Sequence, residues 1–177
     1  LKSQTAPDET AAFVIEPVLG EGGYVPAPKR FLEGLRRLAD EHGIVLVFDE
    51  VQTGFGRTGK LFAFEHFGVV PDILVLRKAL GGGMPMGAFV SSREHMALFT
   101  HHPVLGHITT FGGHPIPCAA GLAALEVLLE EDLPENARRM GALFKELLVH
   151  PAIREVRGLG LMLAVDLGNA GKVQRVV

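Results

Sequence analysis

Three short apolar runs in this chain each end on ionisable side chains: Glu16 after Phe13–Ile15, Asp49 and Glu50 after Ile44–Phe48, and Arg77 and Lys78 after Ile73–Leu76. A lysine in partly apolar surroundings can be held neutral, and a neutral amine condenses with an aldehyde. A carboxylate nearby can keep a pyridine nitrogen protonated, which turns the ring into an electron sink; pyridoxal phosphate needs both partners. Asp49 and Lys78 are separated by close to the roughly 30 residues of one strand–crossover–strand unit, which puts them on neighbouring strands. Ligands of open α/β sheets bind outside the carboxyl ends of the strands, so Glu16, Asp49 and Lys78 are placed to converge on one crevice. Spacing alone leaves a plainer reading open, with Lys78 a solvated lysine at a helix start and Asp49 a strand-end turn residue.

The elements that must position these groups follow from periodicity. Pro28 to His42 reads as a helix, with Pro in its first turn, Phe31, Leu35 and Leu38 at helical spacing, and Gly43 as its stop. Ile44–Phe48 is apolar at every position, as expected of a parallel strand covered on both faces. Ile73–Leu76 repeats that pattern and Ala88–Val90 is a weaker third case. Strands alternating with helices indicate an α/β layered domain with right-handed crossovers. Pro117 to Glu131 is apolar almost all round and is expected to be a buried helix. Pro134 to Val149 follows, burying Met140, Leu143, Phe144 and Leu147. Arg157-Gly-Leu-Gly-Leu-Met-Leu-Ala-Val-Asp166 reads as a strand of a second, smaller domain, with the boundary near residue 150.

Composition bounds the function. The chain has 177 residues with 17 Lys+Arg against 20 Asp+Glu, a net charge of -3 that argues against a nucleic-acid binder working through a basic face. Hydrophobic residues make up 47%, enough for a proper core. No stretch is long and apolar enough to span a membrane. The single cysteine, Cys118, cannot close an internal disulfide, which suits a reducing cytoplasm; it reads as a buried small hydrophobe. The 22 glycines exceed average usage, marking tight turns and close backbone approaches. A chain that begins at Leu1 and ends on Lys172–Val177 reads as a piece of a longer polypeptide.

Two nucleotide-binding patterns compete for the same region. Gly54-Phe-Gly-Arg-Thr-Gly-Lys60 satisfies GxGxxG and the first seven positions of a P-loop. A P-loop needs Ser or Thr after its lysine to hold magnesium, and Leu61 stands there. A dinucleotide loop opens directly from its strand, whereas Glu50–Thr53 intervenes. His101, His102, His107 and His114 match no ligand template, so no metal site is expected. Tyr24 is either part of a substrate entrance or a surface turn residue. Arg57 could meet a phosphate or carboxylate, although an ion pair between loops is the simpler account.

Four ordered motifs carry a more specific signal: Glu16-Pro-Val-Leu-Gly-Glu-Gly-Gly23, Phe48-Asp-Glu-Val-Gln-Thr-Gly-Phe-Gly-Arg-Thr-Gly59, Pro71-Asp-Ile-Leu-Val-Leu-Arg-Lys-Ala-Leu-Gly-Gly-Gly83 and Thr109-Thr-Phe-Gly-Gly113. Together they resemble the class III pyridoxal-phosphate aminotransferases, from about residue 11 to about residue 167. The resemblance implies the later part of a fold-type I large domain over residues 1–150, with a mostly parallel three-layer sheet, and the start of a small α+β domain over 151–177. It implies pyridoxal 5'-phosphate held by Lys78 as a Schiff base. Asp49 then pairs with the ring nitrogen, Val51 packs on the ring and Gln52 binds its phenolic oxygen. Thr110 binds the cofactor phosphate of a neighbouring subunit, so the site is shared in a homodimer. Glu16 and Glu21 fall in the substrate region.

The implied reaction is transfer of an amino group from an (acetyl)ornithine-like or other terminal-amino donor to 2-oxoglutarate, in the cytoplasm. A decarboxylase or aminomutase of the same fold would use the same lysine and aspartate, and an inactive, cofactor-deficient fragment is a further alternative. Two departures from the family pattern stand out: Arg77, where a small residue is common, and His114, where asparagine is usual. The family's phosphate loop and ring-stacking aromatic fall upstream of Leu1, and its substrate-carboxylate arginine falls beyond Val177.

Overall fold

A computed structural model describes residues 5–100, 104 and 106–168. Strand β1 (Ala12–Ile15) is followed by a small hairpin of β2 (Val18–Leu19) and β3 (Val25–Pro26) and then by helix α1 (Lys29–His42). Pro28 caps α1 with extended backbone, and Gly43 ends it at φ 66°, a left-handed stop that a residue without Cβ adopts at little cost. The inward stripe of α1 is Leu32, Leu35 and Ala39, while Phe31 faces solvent at 47% exposure. Its inward face is therefore rotated from the expected Phe31–Leu35–Leu38 stripe.

Strands β4 (Val45–Asp49), β5 (Ile73–Leu76) and β6 (Ala88–Ser91) complete a sheet in the order β1-β4-β5-β6. β1 and β4 run parallel with Ile15 opposite Phe48, and β4 and β5 run parallel with Asp49 opposite Val75. β6 is antiparallel to β5, with Ala88 opposite Leu76. That corrects the expectation of a third parallel strand: the connection 77–87 is too short for a crossover and turns the chain straight back. Along β4, Leu46 and Phe48 are buried against α1, Ile44, Phe67 and Val69, while Val45 and Val47 are only half-buried. Among the described residues β4 is therefore fully covered on one face rather than both.

Asp72, just before β5, ties the layers together. Its carboxylate accepts from the Arg36 guanidinium of α1 at 2.9 Å and from the buried Leu46 N–H at 2.7 Å. Its own N–H donates to the Leu46 carbonyl at 2.8 Å. One acidic side chain thus pins α1 to the start of the β4–β5 ladder.

The short helix α2 (Arg93–Ala97) leads to α3 (Pro115–Glu130) and α4 (Leu133–Leu147). α3 is apolar all round as expected, but it is not buried. Leu122 is 58% exposed, Ile116, Val127 and Leu129 are also exposed, and only Gly121 is enclosed. The helix contacts the 3₁₀ turn Lys78–Gly81 and α4, and no described element covers its remaining faces. α4 likewise leaves Leu143, Phe144 and Leu147 exposed and encloses Ala137 and Gly141. The last described elements form a hairpin of β7 (Glu155–Leu159) and β8 (Met162–Asp166), whose Met162 joins the main core that includes Val18 and Phe48. No described helix is long and apolar enough to cross a membrane.

Asp72→Ala removes the acceptor of a buried N–H and of Arg36 together. It is expected to cost about 2 kcal/mol of unfolding free energy in a urea titration. A loss below about 0.5 kcal/mol would mean that the layers are held elsewhere.

Candidate active site

Residues 50–66 begin where β4 ends, and the two acidic residues there part company. Successive side chains of an extended strand point to opposite faces. Glu50 turns inward with no exposed surface, while Asp49 remains half-buried at the sheet edge. The Glu50 carboxylate accepts from Thr53 Oγ1 at 3.1 Å, from the Ala63 N–H at 2.6 Å and from the Phe64 N–H at 2.8 Å. The last two are the first amides of the 3₁₀ turn Ala63–His66, so Glu50 closes the segment from its exit to its return. Burial pushes the Glu50 carboxyl above its ordinary value, against the opposing pull of these three bonds. Farther along, buried Thr58 meets His66 Nε2 at 3.1 Å.

Above this segment lies an open cavity of about 160 Å³ lined by Tyr24, Val51, Gln52, Arg57, Lys78 and Ala79. Lys78 follows β5 and starts the 3₁₀ turn Lys78–Gly81 at φ 50°, a left-handed conformation uncommon for a residue with a side chain. It is exposed at the cavity rather than enclosed. Asp49 stands at the end of the neighbouring strand, its Oδ1 accepting the Val51 N–H at 3.0 Å. Gln52 Nε2 donates to Glu21 Oε1 at 3.3 Å. Glu16, after β1, accepts the Gly20 N–H at 2.7 Å, and Gly20 packs against the Gln52 side chain. The carboxyl ends of β1, β4 and β5 therefore bring Glu16, Glu21, Asp49, Val51, Gln52 and Lys78 into one neighbourhood. The edge thus offers an amine, carboxylates and an amide, groups that can condense with a carbonyl and accept or donate hydrogen bonds.

The family model for aminotransferase class-III matches residues 1–177. The chain belongs to the class III aminotransferase family. It is 49% identical over 164 residues to an acetylornithine aminotransferase of Methanopyrus kandleri, covering 92% of this chain and 41% of that protein. It is 50% identical over 163 residues to a [LysW]-aminoadipate semialdehyde transaminase of Deinococcus radiodurans, covering 90% of this chain and 37% of that one. The chain thus spans about two-fifths of the length of these curated relatives. Among solved structures, an ornithine aminotransferase from Toxoplasma gondii with partial occupancy of pyridoxal phosphate superposes with a TM-score of 0.80 at 41% identity, over 88% of this chain and 37% of that one. A taurine:2-oxoglutarate aminotransferase from Bifidobacterium kashiwanohense, in complex with pyridoxal phosphate and glutamate, gives 0.82 at 40% identity over 90% and 37%. The fold is accordingly that of the fold-type I transferases.

Not every residue singled out in this class III chain meets at the Lys78 cavity. Thr110 is exposed in a separate cavity of about 440 Å³, lined also by Met86, Phe111, His114 and Cys118. Cys118 is exposed there, against the expectation of a buried hydrophobe, because α3 itself lies open. His114 caps α3, its Nδ1 accepting the Ile116 N–H at 3.3 Å, the bond an asparagine side chain would make. Arg77 is exposed just before Lys78 and does not line the cavity. Tyr24 does line it and is half-buried. Arg57 lines it too, and among the described residues its guanidinium makes no ion pair, so the inter-loop pair is not found. His101 and His102 lie outside the described residues, and His107 packs edge-on against Phe99.

Sequence reasoning missed Glu50 as the anchor of this segment. The available signal was a second acid directly after Asp49, which the alternation of the strand would have sent inward. Glu50→Gln turns an amide N–H2 toward the Ala63 or Phe64 N–H and is expected to cost about 2 kcal/mol in denaturant unfolding. His66 gives a pH signature. Burial lowers its value from 6.5, helped by Lys60 and opposed by its contact with Thr58. Because the folded value is depressed, stability from His66 is fully present above pH 6.5 and is lost as pH falls toward the lowered native value. A His66→Gln variant should lack that slope when unfolding is followed between pH 7 and about 5.

Proposed function

We propose that the full-length protein is a pyridoxal-phosphate-dependent aminotransferase that moves an amino group from an (acetyl)ornithine-like or other terminal-amino donor to 2-oxoglutarate. The observation that carries the reading is the cavity where Lys78, Val51 and Gln52 meet beside Asp49. The donor chemistry of the two curated relatives and the ligands of the two solved enzymes support the substrate class and the cofactor. When bound, pyridoxal phosphate supplies an aldehyde that condenses with amines and a ring that accepts electrons.

In this reading Lys78 Nζ would hold the cofactor, and the same amine, when free, would move a proton at the substrate carbon that bears the amino group. The left-handed start of its turn fixes where that amine emerges from β5. Asp49 would keep a proton on the ring nitrogen through a charge-assisted hydrogen bond; its Oδ1 accepts the Val51 N–H. Val51 would pack on one ring face and Gln52 would bind the phenolic oxygen, its amide steadied by Glu21. Glu16 and Glu21 shape the substrate side. Thr110 lies in its own cavity, which suits service to a partner's cofactor phosphate in a homodimer. We place residues 1–150 in the large domain and begin the small one at 151, since β7 and β8 pair only with each other. We further propose a role in amino-acid metabolism in the cytoplasm.

Cofactor added to the full-length protein is expected to give the absorbance of an imine on lysine, and borohydride, by reducing that imine to a secondary amine, should fix the added mass on the peptide containing Lys78. Lys78→Ala should show neither feature and lose activity by about 10³-fold or more. Attachment that persists in Lys78→Ala would refute the lysine assignment. Carbon dioxide release without need of a keto acid would replace transamination by decarboxylation.

A further inference from the structure

Arg157, in β7, reaches out of the β7–β8 hairpin to the turn between β2 and β3. Its Nε donates to the Gly23 carbonyl at 2.7 Å. Nη1 lies 3.1 Å from the Glu155 carboxylate and 3.8 Å from that of Asp166, so two acids hold the guanidinium from behind. Nη2 packs so closely on Gly23, at φ 108°, that a Cβ there would lie 2.7 Å from it. A planar fork with its donors fixed in several directions fits this arrangement, and a lysine would supply only a point charge.

The turn that Arg157 grips is part of the candidate site. The Gly23 and Tyr24 N–H groups both donate to the Gly20 carbonyl, and the Gly20 N–H donates to Glu16. The same turn carries Glu21, bonded to Gln52, and Tyr24, which is held at φ 54° and lines the Lys78 cavity. A second contact of the hairpin reaches the opposite wall: the Leu161 N–H donates to the Arg57 carbonyl at 3.0 Å. We infer that Arg157 is a positioning residue that holds the Gly20–Tyr24 turn so that Glu21 reaches Gln52 and Tyr24 closes one wall of the cavity. The inference rests on the proposed function of that cavity and deepens it. Through Arg157, the β7–β8 hairpin governs how well substrate is received, without touching the reacting atoms.

The test uses the full-length protein with Arg157→Met, Arg157→Lys and Glu21→Gln. Without cofactor, amide hydrogen exchange at Gly23 and Tyr24 is expected to quicken about ten-fold in Arg157→Met, while β4 and β5 amides keep their rates. With cofactor, KM for the amino donor should rise about ten-fold with kcat within about two-fold and the cofactor absorbance unchanged, Arg157→Lys falling between. In a Glu21→Gln background the further rise from Arg157→Met should shrink below about two-fold, because both changes act through one turn. Unchanged exchange at Gly23 and Tyr24, or KM effects that simply multiply, would overturn the inference. Should Arg157→Met not fold, Arg157→Lys is read by the same criteria. A wild-type protein without aminotransferase activity refutes the proposed function, and the exchange rates then decide the role of Arg157 alone.

Discussion

The buried carboxylate of Glu50 is the constraint on which the site depends. An acid with no exposed surface is costly to bury, and only direct hydrogen bonds offset that cost. Here one side-chain and two backbone donors converge on it, from Thr53, Ala63 and Phe64. Those bonds force residues 51–62 to leave β4 and return to the same point. Val51, Gln52 and Arg57 are consequently presented over the sheet edge on a closed segment rather than a free loop. Asp49 gains from the same geometry: with Glu50 committed inward, strand alternation leaves Asp49 at the edge beside β5.

Local backbone strain is concentrated where the chemistry would be. Among the described residues, non-glycine residues at positive φ are Tyr24, Phe55, Lys78 and Asp132, and two of these four line the one cavity that holds Lys78. Each such conformation costs on the order of 1 kcal/mol or more and persists only where the surroundings over-determine it. For Lys78 the surroundings are the β5–β6 pair and the contact of its turn with α3. For Tyr24 they are the Gly20 carbonyl and the Arg157 grip on Gly23. Rigid elements on both sides thus set the two side chains.

Helix α1 and the parallel β1-β4-β5 core were legible in the sequence because they are local: a proline start, a glycine stop and continuous apolar runs. The neighbourhood of Asp49 and Lys78 was legible too, since strand ends in a parallel sheet share an edge. The direction of β6 was not, because apolar patterning carries no sign and only the short 77–87 connection decides it. Nor was the exposure of α3. An all-apolar helix says that its faces avoid water, but not which element covers them, and no described element covers Leu122 or Leu129. Glu50 was visible as an acid and invisible as an anchor, because its three donors come from residues that reach it only after the segment has closed.

The segment Gly54–Lys60 illustrates how a motif can be satisfied for a reason unrelated to its usual chemistry. Phosphate cradles use glycine so that backbone amides can crowd an anion at the start of a helix. In this chain the glycines admit protein instead. A Cβ on Gly56 would meet Pro134 at 3.2 Å, and one on Gly59 would meet Arg138 at 3.1 Å. Gly160, at the tip of the β7–β8 hairpin, packs directly on the backbone of Arg57–Gly59. No helix opens behind the segment; it runs into the 3₁₀ turn that Glu50 caps. Its small residues are there to let α4 and the β7–β8 hairpin seat against it, which fixes the Arg57 backbone while its side chain lines the cavity. The same spacing that imitates a nucleotide loop is, physically, the joint between the sheet and the elements that follow it.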